Sequence, residues 1–441
     1  MKYMQNPNVI IRIEKDASII FNMELRCHYI ISHEELSIFQ LLRTPMSFPE
    51  IINREANGVT EKTTVMGYLS DLRMKNLIIE TVDNIPINDP VKVLDYSQVP
   101  NASFPLYASL YISNKCNHSC KYCYVMSQVT QHHNIYSDSS IVDKLLKELT
   151  DKGCFYISLI GGEPFMEPVI LDNILGKINL QKIYLVTNCS VPNSFDDKFI
   201  RDISQKKNTI IRTSLTHINP EIHDSVVSHK GSFSSIITTL NNLVQNEVET
   251  EVVIVATSHN IEIIDEMILY LDSINVDRIF IEYPMPFYGQ ILDDYMRIIP
   301  RTNEFIDLIK KYKKSQKVSV NDKYVFPYES TPNHQEDCFY LSSRCHAAKY
   351  SASIMADGNC YPCCSAIGNP KLVMGNLLST TLESIWNTYD ASFFHKRCIS
   401  KINNKCGDCS IKETCIGGCP ICGDIFFNDS YAGDARCKWI L

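Results

Sequence analysis

The sequence predicts an α/β protein in three parts: a small N-terminal unit, a central run of alternating strands and helices, and a cysteine-rich tail. Three observations lead there. Between about residues 105 and 320, strand signals and amphipathic helical stretches alternate six times. Ahead of them lie three short β-rich runs and three helical patterns. Behind them, twelve of the eighteen cysteines fall within residues 338–437.

In the first 90 residues, VIIRIE, SIIFNM and CHYII are strand-length runs separated by polar turns. HEELSIFQLLR then places Leu36, Phe39 and Leu42 at helical spacing. SFPEIINREA opens on a Ser-x-x-Glu capping pattern, and VTEKTTVMGYLSDLRMKNLIIE reads as a third helix running into a strand. Three strands followed by three helices predict a winged-helix unit over residues 1–90. Proline-punctuated and without periodicity, residues 91–104 read as a linker. The strand candidates of the next part, 105–325, are LYASLYIS, CFYISLI, KIYLVT, IIRTSL, EVVIVAT and RIFIEY. Helical stretches such as SIVDKLLKELTDKG and SFSSIITTLNNLVQN separate them. Six βα units imply parallel strands with helices outside, as an open sheet or a partial barrel. Either way, ligands belong at the carboxyl ends of the strands. The tail, 335–441, has short elements and many turns, as expected of a domain held by metal centres.

The bulk numbers exclude several classes. The chain has 441 residues, 45% hydrophobic and 21% charged, in the range of globular proteins. A formal net charge of −8 argues against a nucleic-acid partner or a membrane surface. The start, MKYMQNPNVIIRIEK, lacks the basic-then-apolar pattern of a signal peptide, and no apolar run reaches membrane-spanning length. The expected compartment is the cytoplasm. In a reducing compartment, clustered cysteines hold metal or iron–sulfur centres more often than disulfides.

Directly after the first central strand comes CNHSCKYCY, with Cys116, Cys120 and Cys123 spaced Cys-x3-Cys-x2-Cys. Three thiolates in one loop can hold three corners of a [4Fe–4S] cluster and leave the fourth iron open. A zinc knuckle is the alternative, but zinc usually takes four closed ligands, and none follows at finger spacing. The segment resembles the radical S-adenosylmethionine superfamily, with Tyr122 at its usual aromatic position. The resemblance implies a partial (βα)6 barrel with S-adenosylmethionine as cofactor. It places Gly161, Gly162, Glu163 and Pro164 at the methionyl amine of that cofactor, and Thr187, Asn188 and Ser214 at its ribose or carboxylate. Two departures stand out. The common Thr-Asn-Gly turn is Thr187-Asn188-Cys189 here, and Val227 stands where relatives often carry an arginine, between His223-Asp224 and Gly231-Ser232-Phe233. His223-Asp224 also reads as a helix-start cap.

In the tail, Cys345 is followed after twelve residues by Gly358 and after four more by Cys363. Then come Cys406-x2-Cys409-x5-Cys415-x3-Cys419 and, after a gap, Cys437. This resembles the seven-cysteine SPASM tail of radical enzymes. The likeness implies a first auxiliary [4Fe–4S] cluster on Cys345, Cys363 and Cys419, with Cys338 as its fourth ligand. It implies a second on Cys406, Cys409, Cys415 and Cys437, making three clusters in all. A pair of four-cysteine zinc sites is the rival. Cys27, Cys154 and Cys189 read as small buried hydrophobes, and Cys360, Cys364, Cys398 and Cys422 as bystanders near the clusters.

The three parts together resemble peptide maturases that bind a precursor's leader through a winged-helix unit. An edge strand such as CHYII can take the leader as an added strand, with the third helix closing the groove. Across residues 1–83, Lys and Arg do not outnumber Asp and Glu, against a DNA-binding winged helix. The implied activity is a peptide-modifying oxidoreductase that installs a crosslink, favoured as carbon–carbon, in a ribosomally made precursor peptide. A closed first auxiliary cluster leaves no iron for a substrate thiolate. A thioether maturase is the runner-up; a sulfatase-type maturase and a non-enzymatic iron–sulfur regulator are further alternatives. Reducing equivalents are expected from a donor such as flavodoxin or ferredoxin.

Overall fold

A computed structural model of the chain describes residues 2–14, 18–25, 27–55, 62–81, 91–95, 104–125, 134–179, 181–290, 292–312, 314–320, 345–395, 406, 417–429 and 431–436. These form two compact units, one from the first 103 residues and one from residue 104 onward.

The first unit opens with β1 (Lys2–Gln5), β2 (Val9–Ile13), β3 (Ser18–Asn22) and β4 (Cys27–Ile31). Helix α1 (His33–Leu41), strand β5 (Met46–Ser47), and helices α2 (Phe48–Glu55) and α3 (Lys62–Met74) follow, then β6 (Ile78–Thr81) and β7 (Lys92–Asp95). The three expected runs are β2, β3 and β4, and they pair with one another in the antiparallel order β4-β3-β2. Three strands were not legible, the two-residue β5 among them. KYMQ forms β1, which pairs with β5 and β6 beside the three helices. Residues 92–95, read as linker, instead form β7, which joins the free side of β2 in parallel. Strand β4 is left at the edge of its sheet. Helix α1 starts at a reciprocal capping box between Ser32 and Glu35, worth about 1 kcal/mol. The pattern at Ser47 is only half such a box. Glu50 accepts from the Ser47 backbone and hydroxyl at 2.7 Å, with no return bond.

The second unit is built on a ten-stranded sheet. Strands β8 (Tyr107–Ser113), β9 (Tyr156–Gly161), β10 (Lys182–Val186), β11 (Thr209–Ser214), β12 (Thr250–Val255) and β13 (Arg278–Glu282) are the six expected ones. They run parallel in sequence order and continue into β14 (Val318–Val320). On the other side of β8 the cysteine-rich tail adds β15 (Ser351–Ile354), β16 (Asn359–Tyr361) and β17 (Gly375–Asn376). The crossovers are helical: α4 (Ser139–Asp151), α5 (Pro168–Lys177), α6 (Asp197–Gln205), α7 (Pro220–Val227), α8 (Ser232–Gln245) and α9 (Ile264–Ser273).

Period-two alternation gives this sheet two faces. Leu110, Ile157, Leu159, Ile183, Leu185, Ile211, Val252 and Ile254 join the helices' apolar stripes in one core. The opposite face carries polar groups: Tyr107 bonds Ser158, and Arg212 pairs with Glu251 while its guanidinium lies 4.4 Å from the Tyr184 ring centre. Buried charge of this kind survives only when paired, so the inner face is a polar wall rather than a second core. No helix among the described residues is long and apolar enough to cross a membrane.

Candidate iron–sulfur and cofactor site

Cys116, Cys120 and Cys123 lie in the loop that leaves the carboxyl end of β8. Burial, with Cys123 and Cys116 close by, pushes the Cys120 thiol up to about 12. Burial likewise raises Tyr122, whose ring stands beside Cys120 and Cys123. A cation bound among these sulfurs reverses that balance and favours the thiolates.

The strand-end glycines hold the loop from below. Gly162 N–H donates to Ser113 O at 2.8 Å and Glu163 N–H to Lys115 O at 2.7 Å. A Cβ on Gly162 would lie 2.3 Å from the Lys115 carbonyl oxygen and 3.1 Å from Cys116 Cβ. One on Gly161 would lie 2.5 Å from Ser113 O. Glycine is required here by close approach of two backbones.

Glu163 is turned into the protein, 1% exposed. Its carboxylate accepts from Phe165 N–H (3.1 Å), Thr187 Oγ1 (2.8 Å) and Asn188 N–H (2.7 Å). Burial raises its pKa to about 7, with those three bonds pulling the other way. Glu163 and Thr187 therefore brace the site from behind. Asn188 faces forward, with Nδ2 2.7 Å from Asn117 Oδ1 and 3.8 Å from Cys116 Sγ. Pro164 opens the following short 3-10 turn, and Ser214 ends β11 half-exposed. Cys189 takes the turn position that glycine usually fills, with φ +55° and its side chain buried.

Helix α7 clamps the loop from the side, a contact with no sequence signal. Ser119 N–H donates to Val227 O at 3.2 Å and Lys121 N–H to Val226 O at 3.1 Å. The His118 ring stacks on His229 with centres 4.7 Å apart. The Val227 side chain is buried where an arginine was looked for, and its carbonyl does the holding. His223, fully buried, bridges Thr216 Oγ1 at Nδ1 (2.9 Å) and Ser232 Oγ at Nε2 (3.2 Å). Ser232 in turn reaches Ser190 Oγ at 3.2 Å. Asp224 is a cap, but of the next helix: it accepts from Gly231 and Phe233 N–H at 2.5 and 2.9 Å, at the start of α8.

In the tail, Cys345, Cys363 and Cys419 come together: besides burial and Cys364, it is Cys345 and Cys419 that raise the Cys363 thiol. All three join an apolar cluster that also holds Cys123, Tyr111 and Tyr124. Cys123 of the first group thus shares one apolar cluster with the three tail cysteines. Cys363 is fully extended, with φ −162° and ψ 171°, so Cys364 points to the opposite side. There it lies near Glu282. Cys154, Cys189, Cys360 and Cys422 are buried. Cys406 is half-buried, while Cys338, Cys398, Cys409, Cys415 and Cys437 lie outside the described residues. Among the described residues, no three His, Cys, Asp or Glu side chains are close enough to hold a single metal ion. Three thiols in one loop, backed by a strand end that admits no Cβ, suit three corners of an iron–sulfur cluster.

Comparison with known proteins agrees with this geometry. The family model described as the radical SAM superfamily matches residues 110–274, and an iron-sulfur cluster-binding domain, SPASM, matches 345–410. The antilisterial bacteriocin subtilosin biosynthesis protein AlbA of Bacillus subtilis (strain 168) is 24% identical over 328 residues, 70% of this chain and 68% of that one. Streptococcus suis SuiB bound to precursor peptide SuiA superposes with a TM-score of 0.68 at 19% identity, over 99% of this chain and 100% of that one. Native anSMEcpe with bound AdoMet superposes at 0.56 and 17% identity, over 75% of this chain and 93% of that one. At such identities the likeness to solved structures establishes the fold.

Proposed function

We propose that this chain, with its radical S-adenosylmethionine domain and its iron–sulfur SPASM domain, installs a crosslink in a ribosomally made precursor peptide. The single observation that carries the reading is that Cys123, from the cysteine group at the end of β8, shares an apolar cluster with Cys345, Cys363 and Cys419 of the tail. With its clusters and S-adenosylmethionine bound, the site supplies a 5′-deoxyadenosyl radical that takes a hydrogen atom from the core peptide.

The chain's own residues hold, orient and shield. Cys116, Cys120 and Cys123 would hold the radical cluster, which would supply the electron for cleavage of S-adenosylmethionine. Gly161 and Gly162 let the β9 end approach that loop, Glu163 fixes Thr187 and Asn188, and Tyr122, Pro164 and Ser214 line the cofactor's path. Cys345, Cys363 and Cys419, with Cys338, carry the first auxiliary cluster; Cys406, Cys409, Cys415 and Cys437 carry the second. A crosslink is a net two-electron oxidation, which gives auxiliary centres a purpose. The favoured bond is carbon–carbon, because Cys338, outside the described residues, would as a fourth ligand close the first auxiliary cluster to a substrate thiolate.

The leader docks on residues 1–90. In support, β4 lies at a sheet edge, and helix α3 exposes Met66 (58%) and Met74 (73%). SuiB, similar over the whole chain, has been solved with its precursor peptide. Reducing equivalents come from a flavodoxin or ferredoxin. The test is anaerobic incubation of the reconstituted protein with S-adenosylmethionine and the peptide encoded beside its gene. A product lighter by two hydrogens, whose cysteines remain open to alkylation, is expected. Blocked cysteines mean a thioether instead. Undiminished 5′-deoxyadenosine from an iron-verified Cys116→Ala/Cys120→Ala/Cys123→Ala variant defeats the assignment of the radical cluster.

A further inference from the structure

The end of the tail holds a buried ion pair that the reaction as proposed leaves without a task. Gly417 and Gly418 both take left-handed backbone, at φ +80° and +71°, and turn the chain into Cys419. A Cβ on Gly418 would meet Asp434 Cβ at 2.6 Å, so the turn is packed against that residue. Asp434 Oδ2 accepts from the Cys419 N–H at 3.0 Å, and Asp434 N–H donates back to Gly417 O at 2.9 Å. Arg436 grips the same carboxylate through its backbone N–H, Nε and Nη2, at 3.0, 3.0 and 2.8 Å. Its Nη1 reaches the Met285 sulfur, beyond the end of β13. The side chains of Arg436 and Asp434 are 1% and 2% exposed.

Burying such a pair is no route to stability, since apolar residues of equal volume often do as well or better. The pair has an electrostatic consequence instead. The carboxylate sits one hydrogen bond from the Cys419 backbone and the guanidinium is held directly on that carboxylate, so a cation and an anion both stand beside Cys419. In a dry site their fields are poorly screened. A cluster that gains an electron gains negative charge, which a nearby cation stabilises.

We propose that the Asp434–Arg436 pair tunes the reduction potential of the auxiliary cluster on Cys345, Cys363 and Cys419, with Arg436 raising it and Asp434 opposing. This rests on the reading that Cys419 is a cluster ligand. The two residues are positioning groups, and their signature is a pair of shifts of opposite sign.

The experiment is a redox titration of the full-length, anaerobically reconstituted protein, followed by electron paramagnetic resonance. Arg436→Gln lowers the midpoint of one auxiliary signal, and Asp434→Asn, which keeps the acceptor for Cys419 N–H, raises it. Each changes the ratio of reduced to oxidised cluster about tenfold at fixed potential, or about 59 mV for one electron. Arg436→Lys stays near the parent, and the double variant Asp434→Asn/Arg436→Gln returns toward it. Shifts of the same sign, no shift, or loss of the cluster in Asp434→Asn mean a purely structural brace and overturn the proposal. Cys419→Ala separates the two readings. If it removes no signal, the ligand assignment fails and the proposal with it. If it removes one signal that the charge variants leave unmoved, only the tuning fails.

Discussion

Replacing Gly162 by alanine asks whether the cysteine loop is held by backbone contact with the end of β9. Gly162 is not among the residues in left-handed backbone, so the perturbation is steric alone. The new Cβ would start 2.3 Å from Lys115 O and 2.7 Å from Lys115 C, both main-chain atoms between two hydrogen bonds. Relief to an ordinary contact needs the loop to retreat by roughly 1 Å, which takes the 2.7 Å bond from Glu163 N–H to Lys115 O out of range. Overpacking of this kind costs about 1–3 kcal/mol, and one or two lost hydrogen bonds about 1 kcal/mol each, so roughly 2–5 kcal/mol in sum. Cys116 Cβ, at 3.1 Å, moves with the loop, so the thiol triad is misplaced as well. Gly176→Ala is the control, because a Cβ there meets nothing within 4 Å and the residue lies in helix α5. It is expected to stabilise by about 0.5–1 kcal/mol. The assay is anaerobic reconstitution followed by iron content, 5′-deoxyadenosine formation and thermal unfolding of each variant beside the parent. Gly162→Ala should lose cleavage and unfold earlier. Full iron, parental cleavage and an unchanged unfolding temperature would refute the argument that this contact positions the loop.

Two further outcomes follow from the same geometry. Burial depresses the His223 imidazole from 6.5 to about 4, with Asp224 opposing and His217 reinforcing, so its neutral form stabilises the fold above pH 6.5 and that contribution declines as pH falls toward 4. At most about 3 kcal/mol is involved; His223→Gln should flatten stability between pH 7.5 and 5.5 in urea unfolding, and an equally steep decline would contradict the assignment. Met66→Glu, on the exposed face of α3, should weaken binding of a labelled leader peptide about tenfold, a loss of about 1.4 kcal/mol, while cofactor cleavage without peptide is unchanged. Unaltered anisotropy titrations would place the leader elsewhere.

The central fold was legible because both periods were present. All six expected runs are strands, β8 to β13, and SIVDKLLKELTDKG and SFSSIITTLNNLVQN are α4 and α8 within a residue or two at each end. What failed were elements whose partners are remote in sequence. KYMQ has no apolar run of its own and becomes β1 by pairing with residues 46–47 and 78–81. KVLD is a strand because β2 has an open side, which no local pattern in a proline-rich stretch can announce.

At the site, spacing revealed donors and turns but not who holds whom. The Gly161–Gly162 pair is legible because a close backbone approach demands a residue type at fixed spacing, and the spacing of Cys116, Cys120 and Cys123 puts all three in the loop after β8. Glu163 was legible as a position, but its protein partners were not. Three donors from its own chain turn the strand-end carboxylate inward. The clamp by α7 left no signature at all, because the carbonyls of Val226 and Val227 do the work and any side chain supplies a carbonyl. An arginine missing from an expected position therefore says nothing about whether its helix still touches the loop. Side-chain chemistry leaves a trace in sequence, whereas backbone chemistry leaves one only where it forbids a side chain, as at Gly162.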